Sequence, residues 1–251
     1  MMYAAHAIAI AVFANFVDSR SLPMTSLRHG TNRRELVSQP LSCLEAVDLS
    51  FKTSVLKMNN LGGTGPGTGN QVIMYDDVGS YGGDSIDLVV SVKDGSNYIT
   101  KNSNNNGLRC MNDATDEEYL CDLNENVNGY FGQINLDQGE KTTLLFRFYK
   151  GGSYPDDPEP FVLPAFKASI YDIDMGSNGV VENVVVKGWK TAMYDGETDE
   201  AGFSEDDSYC DSVSGEVNCL HAYSTQQGAK CGTWTIFLGN CYRCHLRAKG
   251  P

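Results

Sequence analysis

The residues best placed to do chemistry lie in Leu163–Gly188, which reads LPAFKASIYDIDMGSNGVVENVVVKG. Asp172 and Asp174 stand two residues apart at the end of one β-rich run. Asn178 follows in a Gly/Asn turn, and Glu182 opens the next run. Alternate residues of a strand share a side, so both aspartates face the same way. Calcium takes about six to eight oxygen ligands from carboxylates, carbonyls and water. Asp172, Asp174, Asn178 and Glu182 are therefore the expected ligands of a structural Ca²⁺. The spacing is not that of an EF-hand, because Gly176 and Asn183 fall where that loop needs an oxygen ligand and a glutamate. Turn capping by Asx-type bonds explains the same carboxylates without an ion. Asp76, Asp77 and Asp84 form a second, weaker acidic group.

Cysteine and histidine supply the other candidate chemistry. Cys241-Tyr-Arg-Cys244-His245 has the C-x-x-C-H spacing of c-type haem attachment. Haem also needs a second axial ligand and an enclosing apolar pocket, and a short Cys-rich tail offers neither. Zinc held by Cys231, Cys241, Cys244 and His245 has an acceptable donor set. Disulfides are the better expectation, since the chain has 8 cysteines, an even number. Cys110–Cys121 and Cys210–Cys219 each bracket a polar loop, and these are the two pairings expected. Nucleophilic catalysis is poorly supplied. Beyond residue 42 the only histidines are His221 and His245, both in the Cys-rich tail. A glycosidase needs just a carboxylate pair, which so acidic a chain does not exclude, but no spacing singles a pair out.

Aromatic side chains near turns could stack on sugars: Tyr75, Tyr81, Tyr98, Tyr130, Tyr154 and Trp189. Packing against a sheet is the ordinary fate of such residues. The run Asn59–Asn70, NNLGGTGPGTGN, looks superficially like a phosphate cradle. It lacks the Lys-Ser/Thr of a P-loop and leads into QVIMYDDV, which is strand-like, so a long surface loop is expected.

The elements that must position these residues are short strands. Leu44–Met58 alternates loosely, and Gln71–Val78, Ile86–Val92, Asn97–Thr100, Thr142–Tyr149, Phe166–Tyr171, Val180–Val186 and Trp189–Tyr194 read as further strands. The pair at Phe166–Tyr171 and Val180–Val186 is expected to form a hairpin with the acidic turn at its tip. Lys101–Gly107 and Asn124–Gly132 read as turn or loop. No segment carries a helical stripe, so the fold class expected is all-β, an antiparallel β-sandwich or jelly roll. A disulfide-rich C-terminal appendix follows an acidic loop, with Gly232–Leu238 as its one strand.

Four arginines against Asp18 and Glu35 give residues 1–40 a net charge of +2, so the total of −13 leaves −15 on the remainder. Such a surface repels phosphate backbones and suits cations, so nucleic acid is not an expected partner. Ala4–Val17 is apolar and free of Asp, Glu, Lys and Arg. It is too short to span a bilayer and suits the core of a signal peptide. The alternative is a buried N-terminal helix or strand. The expected organisation is a signal peptide at 1–21, a leader at 22–42, a sandwich at 43–194, and the acidic loop and appendix at 195–251, with no transmembrane segment.

The run AFKASIYDIDMG followed by VENVVVKG resembles a β-sandwich module of secreted bacterial and protist cell-surface proteins. NLGGTGP and IDLVV fit the same kind of module, and the resemblance covers Leu44 to Tyr194. It implies an extracellular jelly-roll-like domain that binds a glycan or protein or builds a surface layer, with Asp172 and Asp174 as cation ligands. The functional expectation is thus a secreted, disulfide-stabilised, calcium-binding module of a cell surface or extracellular matrix. A secreted carbohydrate-active enzyme is the alternative.

Overall fold

The structure is a computed structural model and describes residues 6–11, 47, 49–112, 117–124, 129–137, 139–163, 165–171, 183–187, 189–195, 201–204, 219–224 and 233–239. The strands are β1 (His6–Ala11), β2 (Val55–Asn59), β3 (Val72–Tyr81), β4 (Asp84–Val92), β5 (Gly107–Asn112), β6 (Glu117–Leu120) and β7 (Gly129–Leu136). They continue as β8 (Leu144–Lys150), β9 (Ala165–Tyr171), β10 (Asn183–Lys187), β11 (Trp189–Asp195), β12 (Ala201–Ser204), β13 (Cys219–Ser224) and β14 (Thr233–Gly239). Among the described residues the only helical elements are 3₁₀ turns at Leu61–Gly63 and Ser103–Asn105. The fold is all-β, and every strand pairing is antiparallel.

Three sheets form. A four-stranded sheet runs β2-β3-β4-β8, a seven-stranded sheet β11-β14-β9-β1-β7-β5-β6, and a three-stranded sheet β10-β13-β12. Alternation in the four-stranded sheet sends Ile73, Tyr75, Ile86, Leu88 and Val90 to one face, where they join Leu108 and Ile134 of the seven-stranded sheet in a common core. Val72, Met74 and Val89 point the other way into a smaller cluster.

The hairpin expected at Leu163–Gly188 does not form. β9 pairs with β1 and β14, whereas β10 pairs with β13 in a separate sheet. The valine-rich pattern marks both runs as strands but does not choose their partners. β14 comes from the stretch expected to be an appendix, and it lies between β9 and β11. β1 lies within the stretch expected to be a signal peptide and sits between β7 and β9. Asn97–Thr100, expected as a strand, is irregular chain; Tyr98 within it instead enters the core.

Residues 107–136 hold three strands where loops and turns were expected. The cause is visible in β7, whose glycines disguise it. A Cβ on Gly132 would stand 2.7 Å from the Tyr75 hydroxyl, and one on Gly129 would collide with the Phe51 carbonyl oxygen. Close approach of the facing sheet demands glycine there, at the expense of strand propensity.

Leu88 sits at the middle of the core, 1% exposed. Leu88→Ala is expected to cost about 2–5 kcal/mol, through lost transfer energy and the cavity left behind. Urea unfolding should show a lower midpoint with an unchanged slope.

Candidate functional site

The expected calcium ligands Asp172, Asp174, Asn178 and Glu182 lie outside the described residues, as do Cys210, Cys231, Cys241, Cys244 and His245. Cys219 is the first residue of β13, and its side chain also lies outside them. The other expected pairing is present. Cys110 of β5 is bonded to Cys121, just beyond β6, with a Cα separation of 5.5 Å. Both cysteines are buried in the main core, and the Cys121 N–H donates to the Leu108 carbonyl.

The second acidic group is split between separate ion pairs. Asp76 is ion-paired with Lys57 at 3.4 Å and Asp84 with Lys150 at 3.2 Å. Asp77 is exposed and adopts φ 56°. Among the described residues no three of His, Cys, Asp and Glu stand where they could share a metal ion. Sequence spacing missed the carboxylate that matters here, Asp87, which is fully buried on β4.

Asp87 is explained by an irregularity in β3. Pairing with β4 runs from Val72↔Ser91 to Tyr75↔Leu88 and resumes only at Gly79↔Ile86. The intervening residues Asp76–Val78 bulge, and a bulge leaves backbone groups without ladder partners. The Asp87 carboxylate fills in for the ladder. Its Oδ1 accepts the Asp77 N–H at 3.0 Å, and its Oδ2 accepts the Gly152 N–H at 2.9 Å from the turn after β8. Burial first, and the neighbouring Asp76 carboxyl second, push Asp87 up to about 6 against the pull of those two N–H groups. With Asp87 sealed from solvent, the two carboxyls do not form an accessible acid–base pair for a substrate.

The glycine-rich segment is a surface loop, as expected, and several of its amides are committed within it. Asn60 accepts from Gly65 N–H at 3.0 Å and donates to the Gly69 carbonyl at 3.0 Å, while Gly67 N–H donates to the Asn59 carbonyl at 2.6 Å. Beneath it runs a buried polar network. Asn106 Oδ1 accepts from the Tyr98 hydroxyl at 3.0 Å and from Asn135 N–H at 2.7 Å, and Asn59 donates to the Asn106 carbonyl at 2.7 Å. Tyr98 also donates toward the Asn135 carbonyl. Burial pushes the Tyr98 phenol above its ordinary range, so it stays a neutral donor.

Of the aromatic residues considered for sugar stacking, Tyr75 and Tyr98 are core residues, buried with their hydroxyls bonded inside. Tyr81 and Tyr130 are exposed, and the Trp189 side chain lies outside the described residues. Tyr154 stands in a different setting, beside Tyr149, which the sequence reading passed over. Their ring centroids are 5.1 Å apart and the planes are tilted by 43°. With Met58 they cover Val72, Met74 and Val89 on the outer face of the four-stranded sheet. Around them Arg147 donates to Ser91 at 3.1 Å, and the Lys57–Asp76 pair is partly exposed. The Tyr154 hydroxyl is held above its usual range by burial first and by Tyr149 second. A half-buried aromatic pair with an arginine beside it can stack on an apolar ring face and bond the polar groups at its edge.

Compared with known proteins, the chain matches no family model, no curated sequence and no solved structure.

Tyr98→Phe removes the donor from the buried network and leaves the Asn135 carbonyl short of a partner. The expected cost is about 1–3 kcal/mol. A lower urea midpoint relative to the parent chain checks it, and near-equal midpoints would show that the network does not depend on this hydroxyl.

Proposed function

We propose that this chain is a secreted, disulfide-stabilised β-sandwich acting as a binding or structural module at a cell surface or in a matrix. Its partner is a glycan, met by the outer face of the four-stranded sheet. The observation that carries this reading is the Tyr149–Tyr154 pair, with its charged and hydroxyl-bearing surround. The buried Cys110–Cys121 bond and the even cysteine count support an oxidising destination. The common core between the four-stranded and seven-stranded sheets supports the sandwich. In the same reading Asp172, Asp174, Asn178 and Glu182 hold a structural Ca²⁺ in the acidic turn.

The glycan test is a polysaccharide and oligosaccharide array probed with the full chain and with Tyr154→Ala. Loss of one stacking ring should weaken any binding about tenfold. Equal signals from both proteins would move the contact elsewhere, and a blank array would remove the glycan from the proposal.

The calcium test is thermal unfolding with and without a chelator. A bound ion stabilises the folded state by mass action, so chelation should lower Tm and added Ca²⁺ should restore it. Superimposable melting curves would rule out the ion.

A further inference from the structure

We infer that Arg147 makes the Tyr149–Tyr154 face selective for an acidic sugar, its guanidinium taking the carboxylate of a uronic acid ring that stacks on the tyrosine pair. The inference rests on the glycan-binding reading above and narrows the glycan to one chemical class.

Register places the parts on one face. Between β4 and β8, Val89 lies opposite Arg147 and Asp87 opposite Tyr149. Between β3 and β4, Val72 lies opposite Ser91 and Met74 opposite Val89. Val72, Met74 and Val89 are the residues that Tyr149 and Tyr154 cover. Facing residues share a side of the sheet, as do alternate residues of a strand, so Ser91 and Arg147 belong to the same outer face. Along β8, Arg147 and Tyr149 stand about 7 Å apart, a span that a ring and its exocyclic carboxylate can bridge. Tyr154 extends the platform, its ring centroid 5.1 Å from that of Tyr149.

Arg147 is oriented, and its charge is open to a ligand. The side chain is exposed, and its Nη1 donates to the Ser91 hydroxyl at 3.1 Å. A guanidinium carries five N–H donors in a planar fork, so this one bond aims the group and leaves donors for a bidentate grip on a carboxylate. Lys57 and Lys150 are neutralised by Asp76 at 3.4 Å and Asp84 at 3.2 Å, whereas among the described residues no carboxylate pairs with Arg147. Its charge reaches the platform. Burial and then Tyr149 push the Tyr154 phenol up, and Arg147 pulls it back.

Neighbouring acids decide which way the ligand lies. Asp87 is buried and accepts two backbone N–H groups, and Asp76 is met by Lys57. Asp156 and Asp157 are exposed in the turn just beyond Tyr154 and repel an anion at that end. The carboxylate therefore goes to the Arg147 end, and the apolar face of the ring goes to the tyrosines.

The experiment is calorimetric titration of the full chain with polymers of galacturonate, glucuronate, mannuronate and guluronate, each beside its carboxyl-reduced neutral form. Chelator is present throughout, so that Ca²⁺ cannot bridge protein and polymer. The parent should bind at least one acidic polymer about tenfold or more tighter than its neutral form. Arg147→Gln should bring that ratio close to one, whereas Tyr154→Ala should weaken both forms and keep the ratio. A parent that binds both forms equally, or a ratio unchanged in Arg147→Gln, would overturn the inference and leave the glycan reading standing. Dextran sulfate bound as tightly as the polyuronates would also overturn it, because charge alone would then suffice. A parent that binds neutral glycans on the array and none of these polymers overturns the acidic class alone, whereas a blank array removes both readings.

Discussion

Tyr75 is the constraint from which much of this fold follows. It is buried on β3, and its hydroxyl crosses the core to donate to the Gly107 carbonyl of β5 at 3.1 Å. A phenol removed from water needs such a partner, because leaving its hydroxyl unmet would cost about 1–3 kcal/mol. Burial also raises its ionisation far beyond the physiological range, so the proton is always there to donate. The ring meets Phe51 edge-on at a centroid distance of 4.9 Å. Its tip fills the space where Gly132 of β7 would otherwise carry a Cβ. One side chain thus fixes the spacing of the two sheets and the identity of a residue on the far one.

The legible part of the fold is the part written in apolar β-formers. Ile86–Val92 and Thr142–Tyr149 read as strands and are strands, because their alternating faces meet a core on one side. The illegible part is written in Asn and Gly. Asn106, Gly107, Gly129 and Gly132 look like punctuation, yet each is used for a contact that a larger or apolar residue would forbid. Local pattern also cannot choose a strand's partner. Phe166–Tyr171 and Val180–Val186 are close in sequence, which favours a hairpin, but β9 has two other strands to pair with and β10 has β13.

The same division holds for the candidate sites. Cys110–Cys121 was readable because two cysteines bracketing a short polar loop can close it with little distortion, and the antiparallel β5–β6 pair brings them to 5.5 Å. Asp87 was not readable. It is the second residue of IDLVVSV, a run that reads as a plain apolar strand, and its role exists only because β3 bulges opposite it. Tyrosine position near loops was a weak guide as well. Tyr98 lies in irregular chain and is buried, whereas Tyr149 lies within a strand and helps to form the outer aromatic surface.

The buried carboxylate and the aromatic surface are not independent features. Gly152 N–H is held by Asp87, and Gly152 belongs to the turn that presents Tyr154 against Tyr149. The turn is tied further by Ser153, whose hydroxyl donates to the Lys150 carbonyl at 2.7 Å and accepts from Glu159 N–H at 3.2 Å. A stacking surface is useful in proportion to how little ordering its partner must induce. The Tyr149–Tyr154 face is therefore held from its own side of the sheet, by the buried Asp87 that pairs across the strands with Tyr149.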